Sequence, residues 1–521
     1  MLQKGSLVTN SIKERRAGNW LPHRPFVGLA AASAIALVAC GDVNQAADQS
    51  QTSELATEND TNGFGTLEVF SATGNIDRNN PFFQNLGANG RTCNSCHLLR
   101  DGLGINTAAI NSIFTNTNGT DPLFRTNDGS NAPTGVFANT STLAAKKKSF
   151  SMLLAHGDIR VGIGMPTGAD FTSTAIKDPY GFASTKEFSL FRRPLPSVNV
   201  AFNTLAMWDG RESEGRPAIR DALINQANDA TQGHAQRATP LDTTTRAAIA
   251  DFQLNLFAGQ VSSNVGSPVV GSLRVAGCTT SMASDSLGQP CEAARGGGAN
   301  LFTLLKMGNG DFPAFTPGIN DPFKPGFNNI SFTIFDPWES DELGPAPKIN
   351  GRTVNAVITK NRGEVGDGEN LFYTKPIAMS GVPGLNDVLG QDVVMGTCTT
   401  CHNTPDVGNH SLPRFFNTGV SDVAGPSSMF TADFPVYTFK ETSTGTTVQT
   451  SDPGLALRTG KFADIGKFKV PQLRTLGNRA PYFHNGQANT LQDVLNFYNK
   501  RFNIGFTAEE MRKIIVFLNQ T

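Results

Sequence analysis

The chain has 521 residues, with 43 basic and 44 acidic side chains and a formal net charge of −1. That length allows two or three domains and excludes a disulfide-stapled mini-protein, and the charge balance lacks the basic excess of a nucleic-acid binder. Its 53 glycines and 29 prolines mark a globular chain with many loops, and its seven cysteines are few enough that their arrangement matters more than their number.

The first 39 residues read as a targeting segment. Lys4, Lys13, Arg15, Arg16 and Arg24 form a basic stretch, and Phe26 to Ala39 an apolar run too short to span a bilayer. The run ends in Leu37-Val38-Ala39-Cys40. This resembles a bacterial lipoprotein signal, in which small residues precede a cysteine that becomes lipidated. A plain secretory signal with an incidental Cys40 is the other reading. Gly41 in place of Asp implies, by the same resemblance, the outer membrane. The expected location is the periplasmic side of a bacterial membrane, reached through a lipid anchor on Cys40. Residues 40–63, rich in Gln, Asp, Thr and Asn, read as a flexible tether.

A mainly helical, loop-rich domain is expected over residues 64–261. It carries Cys93-Asn94-Ser95-Cys96-His97, and residues 104–146, rich in Asn, Thr and Gly, read as a surface insertion. Ile249, Phe252, Leu256 and Phe257 recur at helical spacing and predict a packed helix over 245–261. Residues 262–363 read as a loop-rich connector. Cys278 and Cys291 lie there with no histidine nearby to complete a metal site. In an oxidising compartment they are expected to form a disulfide worth about 3 kcal/mol at this loop length, with two free thiols as the alternative. Asn350-Gly351 within Lys348 to Val354 signals a small hairpin. The last domain, 364–521, carries Cys398-Thr399-Thr400-Cys401-His402 and closes with a helix near Thr507 to Leu518.

The two C-x-x-C-H motifs carry the chemistry. Two thiols one turn apart can add to the two vinyl groups of one haem, and the adjacent histidine then reaches the iron as its proximal ligand. A zinc site would need a second cysteine or histidine pair close by, and a thioredoxin-like motif would lack the histidine. Two covalently bound c-type haems are therefore expected, held by Cys93, Cys96 and His97 and by Cys398, Cys401 and His402. Each motif follows an aromatic segment, Phe82-Phe83 or Leu371-Phe372-Tyr373. This loose repeat suggests two cytochrome-c-like domains in a mainly α chain, with long loop-rich insertions and minor β-hairpin content.

Four blocks in order resemble the bacterial di-haem cytochrome c peroxidases and their MauG-type relatives. They are the first haem motif, Met207-Trp208-Asp209-Gly210-Arg211, the second haem motif, and Phe468-Lys469-Val470-Pro471-Gln472-Leu473-Arg474 leading into Ala480-Pro481-Tyr482-Phe483-His484-Asn485-Gly486. The resemblance implies an active site at the first haem and an electron-transfer haem in the second domain. It implies a bridging role for Trp208, whose oxidisable indole can relay an electron between haem edges. Asp209 and Arg211 read as a local salt-bridged turn.

The chain departs from the family on the far side of the first haem. The usual Gln-Ala comes eight residues late, as Gln226-Ala227, and the usual Asn-Pro-x-Glu-Met is replaced by Asn228-Asp229-Ala230-Thr231-Gln232-Gly233-His234. The family's catalytic glutamate therefore has no match. Splitting peroxide still needs a group that moves a proton between its oxygens, and an imidazole exchanges protons near neutral pH. His234 is the candidate, with Gln226 to hold peroxide or water; a surface histidine, or one that ligates iron at rest, is the alternative. His156 reads as structural, His410 as exposed, and His484 as a hydrogen-bonding neighbour of the haem. Relatives bind a calcium ion between the haems through carbonyls near Ala480-Pro481. Here the asparagine ligand has no match and Arg479 stands where threonine is usual, so half of a calcium ligand set is visible.

The resemblance thus implies a peroxide-reducing oxidoreductase fed by a small cytochrome c or a cupredoxin, or acting on a partner protein. An oxygenase on the same scaffold, as in the di-haem rubber oxygenases, and a non-catalytic electron-transfer cytochrome are the other readings. The second haem separates branches of the family. Where peroxidases place a methionine as far ligand, the matching segment Leu491 to Tyr498 ends in a tyrosine, as in MauG-type enzymes. A phenolate stabilises ferric iron where a thioether favours ferrous. The second haem should therefore be low-potential, and the ferric protein should react with peroxide without prior reduction. Tyr498→Phe should change the second haem's ferric spectrum; an unchanged spectrum, or a methionine-to-iron charge-transfer band in the wild type, would refute tyrosinate ligation.

Overall fold

Strand formation begins earlier than the composition of the tether suggests. Thr57–Asn62 (β1) pairs antiparallel with Gly65–Ser71 (β2) across the short turn at Gly63-Phe64, and β2 pairs on its other edge with Leu256–Ser263 (β6). The computed structural model describes residues 57–136, 138–263, 315–335, 339, 348–349, 352–353 and 356–521. Cys40 and the expected Cys278–Cys291 disulfide lie outside the described residues.

The helices are Thr107–Thr117 (α1), Leu143–Ser149 (α2), Ser151–His156 (α3), Ile219–Gly233 (α4), Thr243–Leu254 (α5), Ala356–Thr374 (α6), Leu491–Phe502 (α7) and Ala508–Leu518 (α8), with shorter helical turns between them. Ile159–Ile163 (β3) pairs with Phe188–Arg192 (β5). Phe171–Lys177 (β4) joins Val436–Glu441 (β12) and Thr447–Thr450 (β13) in a three-stranded sheet. Two-stranded ladders form at Lys348–Ile349 (β7) with Arg352–Thr353 (β8), at Ile377–Ser380 (β9) with Val393–Gly396 (β10), and at Phe415–Phe416 (β11) with Phe468–Lys469 (β14). The β content thus extends beyond the hairpin signalled at Asn350-Gly351. Among the described residues no helix is long and apolar enough to cross a membrane.

The helix expected over 245–261 stops at Leu254, and the next residues become β6. The burial shows why. Leu256 and Ala258 face one core with Leu67, Val69 and Ile249, whereas Phe257 faces another with Phe70 and Phe202. That alternation is a strand's, and it completes the open edge of β2. Residues 104–146 do not lie wholly at the surface: Ile110, Phe114, Leu123 and Phe124 close a core with Phe150 and Leu153. Part of the expected connector also packs inward. Phe332 lies edge-on to Phe372 and Phe517, with ring centroids 5.7 and 5.4 Å apart. Beside it α6 and α8 approach closely at Gly368, where a Cβ would come within 2.1 Å of the Lys513 carbonyl oxygen.

The two halves of the chain are laced together through the β4–β12 ladder. Phe171, Phe188 and Leu190 share one core with Tyr437, Phe439, Leu457 and Ile465. At its centre the buried Tyr437 hydroxyl donates to the Ser189 carbonyl at 2.7 Å and accepts from the Ser189 amide at 3.0 Å. Tyr437→Phe strands both backbone groups and should lower the unfolding free energy by about 1–3 kcal/mol. A shift of the denaturant midpoint at constant m checks it; no shift would mean that these bonds carry no net stability.

Candidate haem cavities and their shared wall

The two C-x-x-C-H motifs fold alike. Each occupies a short 3-10 turn, Cys93–Ser95 or Cys398–Thr400. In each, the hydroxyl at the third position returns to the amide before the turn, Ser95 Oγ to Thr92 N and Thr400 Oγ1 to Thr397 N, both at 3.1 Å. The histidine amide then bonds back to the first cysteine's carbonyl, at 3.0 Å for His97 and 3.1 Å for His402. His97 Nδ1 meets the Leu103 carbonyl at 3.1 Å and Ser197 Oγ at 3.2 Å. His402 Nδ1 meets the Gly408 carbonyl, again six residues on. An Nδ1–H spent on a carbonyl leaves Nε2 with its lone pair for a metal. Burial pushes both imidazoles down to about 4, so they stay neutral as ligands must. A phenylalanine tilts over each ring, Phe82 at 6.3 Å and Phe372 at 6.1 Å.

Each motif opens into its own cavity, of about 1400 Å³ at His97 and about 1640 Å³ at His402, mouths included. The cavities fit a group that is apolar in its body and anionic at its edge, as a haem with its propionates is. Their walls are largely apolar, but cations also line them: the buried Arg192, Arg193 and Lys469 in the first, and Arg193, Lys469 and the part-buried Arg479 in the second. Burial, then neighbouring Arg479, lowers the Lys469 amine to about 8. Among the described residues that amine reaches one carbonyl, Val470, at 3.5 Å. The four cysteines are free and part-buried, with thiols raised by burial to about 11 at Cys96 and about 12 at the other three.

A single wall separates the cavities, and Trp208, Arg193, Lys469 and Pro194 to Pro196 line both. The indole of Trp208 is 9% exposed, and its Nε1–H donates to the Arg193 carbonyl at 2.9 Å. Its backbone carbonyl accepts from the Lys469 amide at 2.9 Å. His484 meets the indole edge-on at 6.2 Å and stacks on Phe468 at 4.0 Å. Next to Trp208, Asp209 bonds Arg211 as the expected turn, but it also accepts from Arg192 at 2.6 Å. Arg192 then reaches both oxygens of Asp452 at 2.7 and 2.9 Å. Burial works against the Asp209 carboxylate, yet Arg192 and Arg211 hold it down at about 2.

On the far side of the first cavity, α4 carries Gln226 and ends at His234, and both line the cavity with His97. His234 Nδ1 bonds Asp128, which also pairs with Arg91. Arg91 is fixed in turn by the Pro122 and Leu123 carbonyls at 2.9 and 2.7 Å. Burial opposes the charge on Asp128, but Arg91 and His234 keep its carboxyl below the ordinary value. Sequence reasoning did not single out Asp128 or Arg91, because both lie more than 100 residues from His234. Asp229 is exposed on α4 and is not among the residues around this cavity.

Tyr498, on α7, lines the second cavity with His402. Burial raises its phenol, which bonds Thr418. Met395 is 67% exposed on β10. His410 is not exposed as expected. It is 3% exposed, with Nδ1 at 2.9 Å from the Cys401 carbonyl, because Phe416 and Phe323 close over its ring. His156 is structural, its Nδ1 meeting the Gly486 carbonyl at 3.3 Å. The residues do not fit the family's calcium. The asparagine ligand has no match, and the Arg479 carbonyl, next to the expected carbonyl ligands, already accepts from the Arg193 guanidinium at 3.0 Å.

Comparison with curated proteins finds partial similarity to cytochrome c peroxidases. Over 136 residues the chain is 30% identical to the cytochrome-c peroxidase IdrP1 of Denitromonas iodatirespirans, covering 23% of this chain and 35% of that protein. Part of the chain is similar to cytochrome c peroxidases. The cytochrome-c peroxidase IdrP2 of Pseudomonas sp. (strain SCT) is 25% identical over 179 residues, 32% of this chain and 44% of that peroxidase. The cytochrome c551 peroxidase of Nitrosomonas europaea is 30% identical over 135 residues, 26% of this chain and 33% of that enzyme. The chain thus spans about a third to under half of the length of these peroxidases. No protein-family model matches it.

The buried ladder beside Trp208 sets an acid limb. Asp209 titrates in the fold at about 2 against an ordinary 3.8. Its ionised form therefore stabilises the fold fully above the ordinary value, and this contribution is lost as pH falls through about 2. The difference amounts to about 2 kcal/mol. Asp209→Asn should lose less stability than the wild type between about pH 4 and pH 2 in denaturant titrations; identical acid limbs would show that the ladder does not hold this proton off.

Proposed function

We propose that this chain is a lipid-anchored di-haem peroxidase of the bacterial periplasm, with peroxide reduced in the His97 cavity and electrons entering through the His402 cavity. The observation that carries the reading is the shared wall, where one pinned tryptophan lies against both cavities. Twin attachment turns, with the same capping hydroxyl, the same histidine anchor and the same aromatic cover, support two cytochrome-c-like haem units in a mainly helical chain. The relatives are named as cytochrome c peroxidases. That supports hydrogen peroxide as substrate and a small cytochrome c as donor, with a cupredoxin or a partner-protein substrate in the same role.

Bound haem supplies the redox chemistry, an iron site for peroxide in one cavity and storage for electrons in the other. The protein's part is to place protons and to connect the sites. Asp128 accepts the Nδ1–H of His234, which leaves Nε2 to take the proton from one peroxide oxygen and return it to the other. Arg91 keeps Asp128 ionised for that purpose, and Gln226 offers an amide to hold peroxide or water. Two electrons and two protons then convert each peroxide to two waters. Trp208, tied at its indole N–H and at its carbonyl, carries the electron across the wall without reorienting. Tyr498, which lines the second cavity with His402, would serve as a further ligand to the haem held there, and Cys40 holds the protein at the membrane.

Rapid mixing of the ferric holoprotein with peroxide tests the proton-handling residues. His234→Ala should slow the reaction by about 100-fold or more, and Asp128→Asn by about tenfold with both haems retained. Wild-type rates in both variants would remove this pair from the mechanism.

The wall is tested separately. Trp208→Phe should keep both haems attached and leave peroxide binding in place, while oxidation of the second haem falls behind that of the first. Unchanged kinetics between the haems would end the relay role of Trp208.

A further inference from the structure

Arg193 occupies an unusual position in the wall. Its guanidinium is buried and donates to three backbone carbonyls, His156 at 2.7 Å, Ile105 at 2.6 Å and Arg479 at 3.0 Å. Its own amide donates to the His484 carbonyl at 2.7 Å, and its carbonyl receives the Trp208 indole. Four stretches of chain that are distant in sequence therefore meet on this one residue. Carbonyl oxygens converging from separate loops are the ligand chemistry of a hard divalent cation, and a guanidinium can present N–H groups to the same oxygens.

The place is shaped for this side chain. At Gly157, with φ +70°, a Cβ would lie 2.2 Å from Arg193 Nη1, so any larger residue would displace the guanidinium. Beside it Asp158 is buried, and among the described residues neither of its carboxyl oxygens has a hydrogen-bond partner. Arg193 and Asp158 lie within range of each other's charge. A cation at this point thus meets three carbonyls, with the Asp158 carboxyl, pushed well up by burial, nearby but not bonded to it, and the protein supplies that cation from its own chain.

We infer that the Arg193 guanidinium is the built-in cation of the wall between the two cavities, taking the place of a bound calcium ion and positioning Trp208 and the Arg479 loop. The inference rests on the proposed di-haem reading for the wall's role. Its first test does not depend on the peroxidase activity, because it reads metal content and haem spectra.

The holoprotein, desalted into calcium-free buffer containing a chelator, should retain no stoichiometric calcium, and its ferric and ferrous spectra should be the same with chelator or with millimolar calcium. Stoichiometric calcium that survives desalting, or spectra that change on chelation, would overturn the proposal. The second test addresses positioning. Arg193→Ala should slow electron transfer between the haems by about tenfold or more, and added guanidinium should restore part of the loss. Arg193→Lys, which keeps the charge but cannot reach all three carbonyls, should fall between. Wild-type transfer in Arg193→Ala would also overturn it. If that variant does not fold, the metal and spectral test on the wild type still decides. A protein that passes the calcium test but shows no peroxide reaction would remove the peroxidase reading and leave the internal cation standing.

Discussion

The structure around the cavities depends on the ion ladder Asp209–Arg192–Asp452. Arg192 is a buried cation shared by two buried carboxylates, one beside Trp208 and one in the C-terminal half. Removing either partner leaves a charge in the interior without compensation, which typically costs about 3–5 kcal/mol. The ladder therefore holds the tryptophan turn against β5 and fastens the second half of the chain to the first. Hydrophobic packing alone would allow the two halves to slide, whereas the bidentate Arg192–Asp452 pair has one geometry.

Arg192 and Arg193 are neighbours in the chain, yet they serve different partners. One faces the carboxylates and the other faces backbone carbonyls on the opposite side, as the alternation of an extended segment requires. The strand end that orders the ion ladder thus also orders the carbonyl cluster. Both cavities inherit the position of their common wall from two consecutive residues. His484 joins the two systems, since its ring lies between Trp208 and Phe468 while its carbonyl receives the Arg193 amide.

Much of the candidate site was legible in the sequence because its signals are local. Cys93 to His97 and Cys398 to His402 are picked out by spacing, and the structure places each at a cavity, with the threonines and serine that cap their turns within the same few residues. Trp208 was singled out by its immediate context and lies in the wall that both cavities share. Asp128 and Arg91 were not, because they reach His234 only through the fold, and the polar composition of residues 104–146 hid a core built on Ile110 and Phe114. The spacing of Ile249, Phe252 and Leu256 suits a helix, but the free edge of β2 made the last of them a strand residue. His410 looked exposed because a lone histidine in a loop gives no sign of the phenylalanines that cover it.

The ladder between β4 and β12 has a consequence for how the protein assembles. Ser189 and Tyr437 are 248 residues apart in the chain, yet they share two hydrogen bonds in one core. Contacts of such separation form late, since a long loop must close before they are rewarded. While the chain is being made, β4 waits with an unpaired edge, and so does the face of Phe171 and Phe188. The first haem motif is complete long before the wall that separates it from the second can exist. Before β12 is available, the edge of β4 and the apolar face beside it are open to pairing with other chains, so synthesis passes through its most aggregation-prone stage while the first cavity still lacks part of its wall.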